Sequence, residues 1–160
     1  MHFENLNLRV GKINAVKDHS NADRLYVISV DLGKISRDLQ IVSGIREFYT
    51  KEELLGKNII VLVNLESAVF RGIESNGMLL AADFSGDISL LTANGSSQGD
   101  RVFIENMNLD SEEEKITFED WKKIKLTTLN NKVKLDNLFL KTDNEEVITD
   151  KEVSDGCNIQ

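Results

Sequence analysis

"YTKEELLGKNIIVLVNL" (Tyr49–Leu65) is the stretch whose reading decides the fold. Thr50, followed three residues later by Glu53, is a capping box: hydroxyl and carboxylate each satisfy a backbone N–H at a helix start. Gly56 supplies the stop, since glycine takes the conformation that closes a helix C-terminus. The helix is barely two turns long. "NIIVLVNL" (Asn58–Leu65) follows at once, and its nearly unbroken apolar run predicts a strand covered on both faces. What a short helix against a buried strand means depends on the strands on either side.

Upstream, three stretches read as strands. "LRVGKINAVKDH" (Leu8–His19) mixes alternation with β-branched residues, and Gly11 is a candidate bulge or bend. "LYVISVDLG" (Leu25–Gly33) and "LQIVSG" (Leu39–Gly44) alternate and end at glycine. Downstream, "GMLLAAD" (Gly77–Asp83), "DISLLT" (Asp87–Thr92) and "DRVFIE" (Asp100–Glu105) complete the set. Short strands with one helix after the third describe an all-β OB-fold, a five-stranded, partly open Greek-key barrel. Its ligand face is strands 2–3 with the loops joining strands 1–2 and 4–5. Here those loops are "DHSNADR" (Asp18–Arg24) and "ESAVFRGIESNG" (Glu66–Gly77). Gly72 and Gly77 let the second loop approach a ligand without a Cβ in the way.

Composition bounds the possibilities. The 160 residues, 41% of them apolar, suffice for one domain with an appended lobe. No apolar run nears the ~20 residues of a membrane span. "HFENLNLRV" after Met1 is no secretory signal, and Cys157 is the single cysteine, so a reducing cytoplasm is expected. The chain starts almost at its first strand, as an excised domain would. Proline is absent, which leaves the turns to glycine, asparagine and serine. Net charge is −8, and a global acidic balance argues against nucleic acid. The acid concentrates in the tail, however: residues 1–105 carry 11 basic against 14 acidic side chains, and 106–160 carry 8 against 13. The first two thirds can still present a local basic face.

No constellation for catalysis is visible. His19 has only the terminal His2 for company, Cys157 stands alone, and no set has metal-ligand spacing. "GIESNG" lacks the lysine and spacing of a phosphate-binding loop. Neither a metal nor a cofactor is expected, and the chain is read as no enzyme by itself.

After Glu105 the texture changes. "NMNLDSEEEK" (Asn106–Lys115) is an acidic connector. Thr117 with Asp120 caps a second helix, and Phe118, Trp121, Ile124 and Leu126 make its apolar stripe. "VKLDNLFLKT" and "EEVIT" predict a hairpin joined near Asp143–Asn144. The division is thus 1–105 for the barrel and 106–160 for a lobe too small to stand alone, which should pack on it. A stripe satisfied within its own chain predicts a monomer.

Together, "LRVGKI", "HSNADRLYVISVDLG", "QIVSGIREFYTKEELLGKNIIVLVNL" and "FRGIESNGMLLAA" resemble the tRNA-binding domain of the endothelial monocyte-activating polypeptide II type. This module occurs free in some bacteria and appended to methionyl- and tyrosyl-tRNA synthetases. The tail, ending in "SDGCNIQ", resembles the eukaryotic subgroup, in which the lobe imitates the dimer interface of shorter relatives. The resemblance implies a tRNA contact surface of Lys12, Asn21, Arg24, Ser43, Arg71, Ser75 and Met78. Lysine and arginine suit phosphates, the serine hydroxyls suit phosphate, 2′-OH or base edge, and the methionine suits a base or ribose. From pattern alone Met78 equally begins a core run, and Asn21 and Ser43 equally serve turns.

The chain also departs from its relatives. Ser20 stands where they usually have proline, Glu66 and Val69 stand where lysines are common, and "SEEEK" replaces a lysine cluster. Each lost lysine removes phosphate attraction and implies weak, salt-sensitive binding. The leading expectation is an auxiliary module that delivers or retains tRNA for an aminoacyl-tRNA synthetase, fused or associated. A cytokine-like extracellular signal, a role that relatives tie to the segment matching Arg9–Ala15, is the alternative. A peptide-binding export chaperone with the same barrel is a third.

Overall fold

The structure, a computed structural model, describes residues 1–109 and 114–160; part of the acidic connector, with most of its "EEE" run, lies outside them. A single 3-10 turn (Phe3–Asn5) leads into β1 (Leu8–Asp18), β2 (Tyr26–Asp31) and β3 (Leu39–Ser43), an antiparallel meander. Helix α1 (Lys51–Leu54) follows, then β4 (Asn58–Leu62), which returns to the free edge of β1. Beyond a small hairpin, β5 (Ala68–Phe70) and β6 (Ile73–Ser75), comes β7 (Met78–Leu79). The sheet order is β3-β2-β1-β4-β7. The barrel closes where Asn76 N–H donates to Gln40 O (2.8 Å) and Val42 N–H donates to Ser75 Oγ (3.0 Å). This is the expected OB-type barrel, all-β, with its short helix after the third strand.

The capping box is present as read. Thr50 Oγ1 accepts from Glu53 N–H, and Glu53 Oε1 accepts from Thr50 N–H at 2.9 Å. That backbone bond holds the Glu53 carboxyl below its ordinary value. The carboxylate half of the cap is therefore intact at neutral pH and weakens as pH falls through the lowered value, while the Thr50 half remains. Gly11, in contrast, is not the bulge. A Cβ there would lie 2.4 Å from Val30 Cγ1, so glycine serves close packing, and the register slips instead between Ile13 and Ala15.

The strand expected over Gly77–Asp83 is two strands. After β7 the chain turns through Leu80 into β8 (Ala81–Phe84), which leaves the first sheet and pairs with β9 (Asp87–Thr92). The last third then joins this pair. Helix α2 (Phe118–Lys122) precedes β10 (Thr127–Leu129), β11 (Lys132–Leu135), β12 (Leu138–Phe139), β13 (Ile148–Thr149) and β14 (Asn158–Ile159). The second sheet runs β10-β14-β8-β9-β13-β11-β12, and an added β10–β11 pairing closes six of these strands into a ring. One core cluster accordingly spans both regions, with Leu8, Val10, Leu62 and Leu80 alongside Trp121, Ile124, Val133 and Ile159.

Two expected tail elements differ. Asp100–Glu105 makes only isolated bridges, because its backbone bonds are shared among Leu8, Val10 and Lys141. "VKLDNLFLKT" is itself folded, β11 turning back onto β12, and the expected joint at Asp143–Asn144 survives as a single Lys141–Glu146 bridge. A polar clamp fixes the tail to the barrel. Asp150 accepts from Lys57 Nζ (2.7 Å) and Tyr49 OH (3.0 Å), and Lys151 lies over the Tyr49 ring. Burial, seconded by the Asp150 charge, raises the Tyr49 phenol well above its ordinary value, so it stays a donor. No helix among the described residues is long and apolar enough to cross a membrane.

Candidate nucleic-acid interface

Glu66–Gly77 is built rather than open. In the β5–β6 hairpin Phe70 faces Ile73, leaving Arg71 and Gly72 as a two-residue turn with φ of 51° and 88°. Positive φ at both positions is the type I′ pattern, whose twist matches the flanking strands. Gly72 adopts it freely. Arg71 does so at a cost of about 1–2 kcal/mol, and its side chain projects into solvent with no ion-pair partner among the described residues. The usual Asn-Gly signal is missing here, which is why the sequence showed a loop.

Two contacts hold this hairpin. On one side Ser75 is buried, its hydroxyl accepting from Val42 N–H and donating to Gly77 O at 3.1 Å. On the other, buried His19 bridges the two ligand loops. Its Nδ1 accepts from Asn21 N–H (2.9 Å), which leaves Nε2–H to donate to Phe70 O (2.8 Å). His19 thus positions the site, a role its isolation in the sequence concealed.

The hairpin walls an apolar cleft. Val42, Phe70, Met78 and Phe118 line two adjoining hollows of about 340 and 550 Å3. Ser43, Gly44 and Ile45 continue the larger one along the end of β3. Phe70 is 43% and Phe118 53% exposed, although both are large apolar side chains. Phe118 comes from α2, so the tail contributes to the face of the barrel.

The residues implied by the resemblance fall into three groups. Ser43, Ser75 and Met78 line these hollows, and Arg71 stands at the hairpin tip beside Phe70. Met78 is half-buried, packed against the core while lining the cleft, so it serves both readings. Asn21 and Arg24 sit in the exposed first loop, joined to the hairpin through His19; Arg24 pairs with Glu47 at 3.2 Å. Lys12 lies elsewhere. It pairs with Asp31 and Ser43 pairs with Tyr26, five residues along β2, about 17 Å away. There it lines a polar hollow with Gly56, Asn58 and Gln98. Sequence reasoning missed His19, Phe70 and Phe118; for the phenylalanines the only signal was their neighbours, Arg71 and the Thr117 cap.

Ser75 carries a stability prediction. Ser75→Ala leaves Val42 N–H unpaired inside the barrel seam and should cost about 1–3 kcal/mol. Urea denaturation checks this; an unchanged midpoint would show that the hydroxyl does not hold the seam.

Comparison with known proteins bears on the family and the fold. The family model described as "Putative tRNA binding domain" matches residues 8–101. A methionine–tRNA ligase of Pyrococcus horikoshii is 55% identical over 89 residues, 56% of this chain, and one of Borreliella burgdorferi is 44% identical over 108 residues, 64% of it. The chain spans only about an eighth of such ligases, 12% and 15% respectively. Among solved structures, the C-terminal domain of Plasmodium vivax p43 superposes with a TM-score of 0.90 at 28% identity, covering 99% of both chains. A MetRS-related protein of Pyrococcus horikoshii gives 0.59 at 32% identity, covering 63% of this chain and 93% of its own. The chain belongs to the tRNA-binding domain family.

Proposed function

We propose that this chain is a non-catalytic module that holds tRNA for an aminoacyl-tRNA synthetase, to which it is fused or which it accompanies. The observation that carries the reading is the convergence at one barrel end of exposed aromatics, the Ser43 hydroxyl, Met78 and Arg71, which has no ion-pair partner among the described residues. Aromatic surface beside cations is what unstacked RNA needs. The presence of the same domain within methionine–tRNA ligases supports the synthetase as partner. Ser43, Arg71, Met78, Asn21 and Arg24 would form the contact surface, with Lys12 a separate phosphate contact. The Arg24–Glu47 pair is no obstacle. With side chains 83% and 57% exposed it is worth about 0–1 kcal/mol and yields to a phosphate.

Residues 114–160 complete the second ring of strands, occupying edges of β8 and β9 that would otherwise be bare. A monomer is the consequence we propose. The cytokine alternative gains nothing from the structure: Arg9–Ala15 lies within β1 between β2 and β4, and Val10, Gly11 and Ile13 are buried.

Affinity should be modest, because the exposed Glu66 and Val69 occupy positions suited to lysines. Glu66→Lys with Val69→Lys should tighten binding of bulk tRNA in filter assays, most at low salt and less at 0.2 M. Unchanged affinity at low salt would remove the hairpin from the interface.

A further inference from the structure

Resting on the RNA-binding reading above, we infer that the cleft between Phe70 and Phe118 holds one unpaired nucleobase, and that Glu66 selects bases carrying an exocyclic amino group. Three observations carry this. The cleft, about 340 Å3, has an apolar lining of Val42, Leu65, Met78 and the two rings, suited to a flat, weakly hydrated face. Each ring has a cation at hand: Arg71 follows Phe70, and Lys122 Nζ lies 5.5 Å from the Phe118 centroid, in an exposed pair with Glu119 (2.9 Å) that yields to a phosphate. An apolar slot with positive charge at both lips matches a nucleotide, whose base is a π-face and whose flanks are phosphates. An apolar peptide would leave Arg71 unanswered.

Glu66 is the third observation. It lines the same cleft, is exposed, and has no ion-pair partner among the described residues. Its backbone is fixed, N–H donating to Ile116 O at 2.8 Å, so the carboxylate issues from a braced position. A carboxylate only accepts hydrogen bonds at neutral pH. It therefore rewards the amino edge of cytosine, adenine or guanine and meets lone pairs on the O4 of uracil. A side chain that weakens phosphate attraction at this position thereby gains a reading role. The slot is shared between the barrel hairpin and α2, which makes the tail part of the binding site.

The test uses the intact chain and fluorescently labelled hexamers of cytidylate and uridylate at pH 7.5, followed by anisotropy. Cytidylate should bind about tenfold tighter than uridylate. Phe118→Ala should weaken both by about tenfold, and Phe70→Ala should do likewise. Glu66→Gln should bring the cytidylate-to-uridylate ratio close to one, even if the lost negative charge tightens both. Unchanged affinity in both phenylalanine variants, or an unchanged ratio in Glu66→Gln, overturns the inference. So does a Phe118→Ala variant that alters self-association in sedimentation and leaves RNA affinity alone, since the patch is then a protein contact. Bulk tRNA measured alongside keeps the two levels apart: tRNA binding that survives intact in all three variants refutes the slot but not the module, whereas a parent chain that ignores tRNA refutes both.

Discussion

Trp121→Ala should destabilise the whole chain by about 3–5 kcal/mol, a large share of the roughly 5–15 kcal/mol available to a domain of this size. Trp121 is 3% exposed and sits in the core cluster that also contains Leu8, Val10, Ile60 and Leu62 of the first barrel. Removing the indole leaves a cavity in a core that both regions line. The loss should therefore appear as a lower midpoint of one cooperative transition. Circular dichroism in urea is the suitable probe, since the substitution removes the only tryptophan. Two separate transitions, with the first barrel melting as in the parent, would show that the tail is an independent unit.

Ending the chain after Glu105 should have a still larger effect. It removes β10 to β14 and with them the partners of β8 and β9 in the second ring. Ala82 and Leu91 lose the tail residues of their cluster, among them Val133, Val147 and Ile159. The clamp of Asp150 on Lys57 and Tyr49 goes as well. Newly bare strand edges and apolar surface drive association. Sedimentation of residues 1–105 should show dimers or larger species, against a monomeric parent. A well-folded monomer of 1–105 would mean that the shared core contributes little.

The barrel was legible because its signals are local. A capping box, a glycine stop and an apolar run placed α1 and β4, and alternation placed β1 to β3 within one to two residues. The second ring was not legible, because it rests on pairings between distant segments. Ile148 faces Thr92 and Ile159 faces Ala82, and nothing in a two-residue strand announces a partner so far along the chain. Leu80, where the strand leaves one sheet for the other, sits in an apolar run that reads the same in either sheet. At the site, the resemblance named Arg71, Ser75 and Met78, and residue type alone did not show where the Ser75 hydroxyl is bonded. Its hydroxyl suits RNA in principle and is spent on Val42 and Gly77 in fact. The exposed Phe70 and Phe118 were hidden for the opposite reason: phenylalanine in a sequence predicts burial, and only the folded chain shows both rings facing solvent.

The central claim is that the barrel end bearing the β5–β6 hairpin holds tRNA through phosphate and base contacts. Its most direct test is a titration of labelled bulk tRNA with the intact chain across a salt series, beside Arg71→Ala. The account expects binding at low salt whose logarithm falls linearly with the logarithm of salt concentration, and a slope shallower by about one in Arg71→Ala, the mark of one lost phosphate contact. No binding at the lowest salt, or identical slopes for parent and variant, would contradict it.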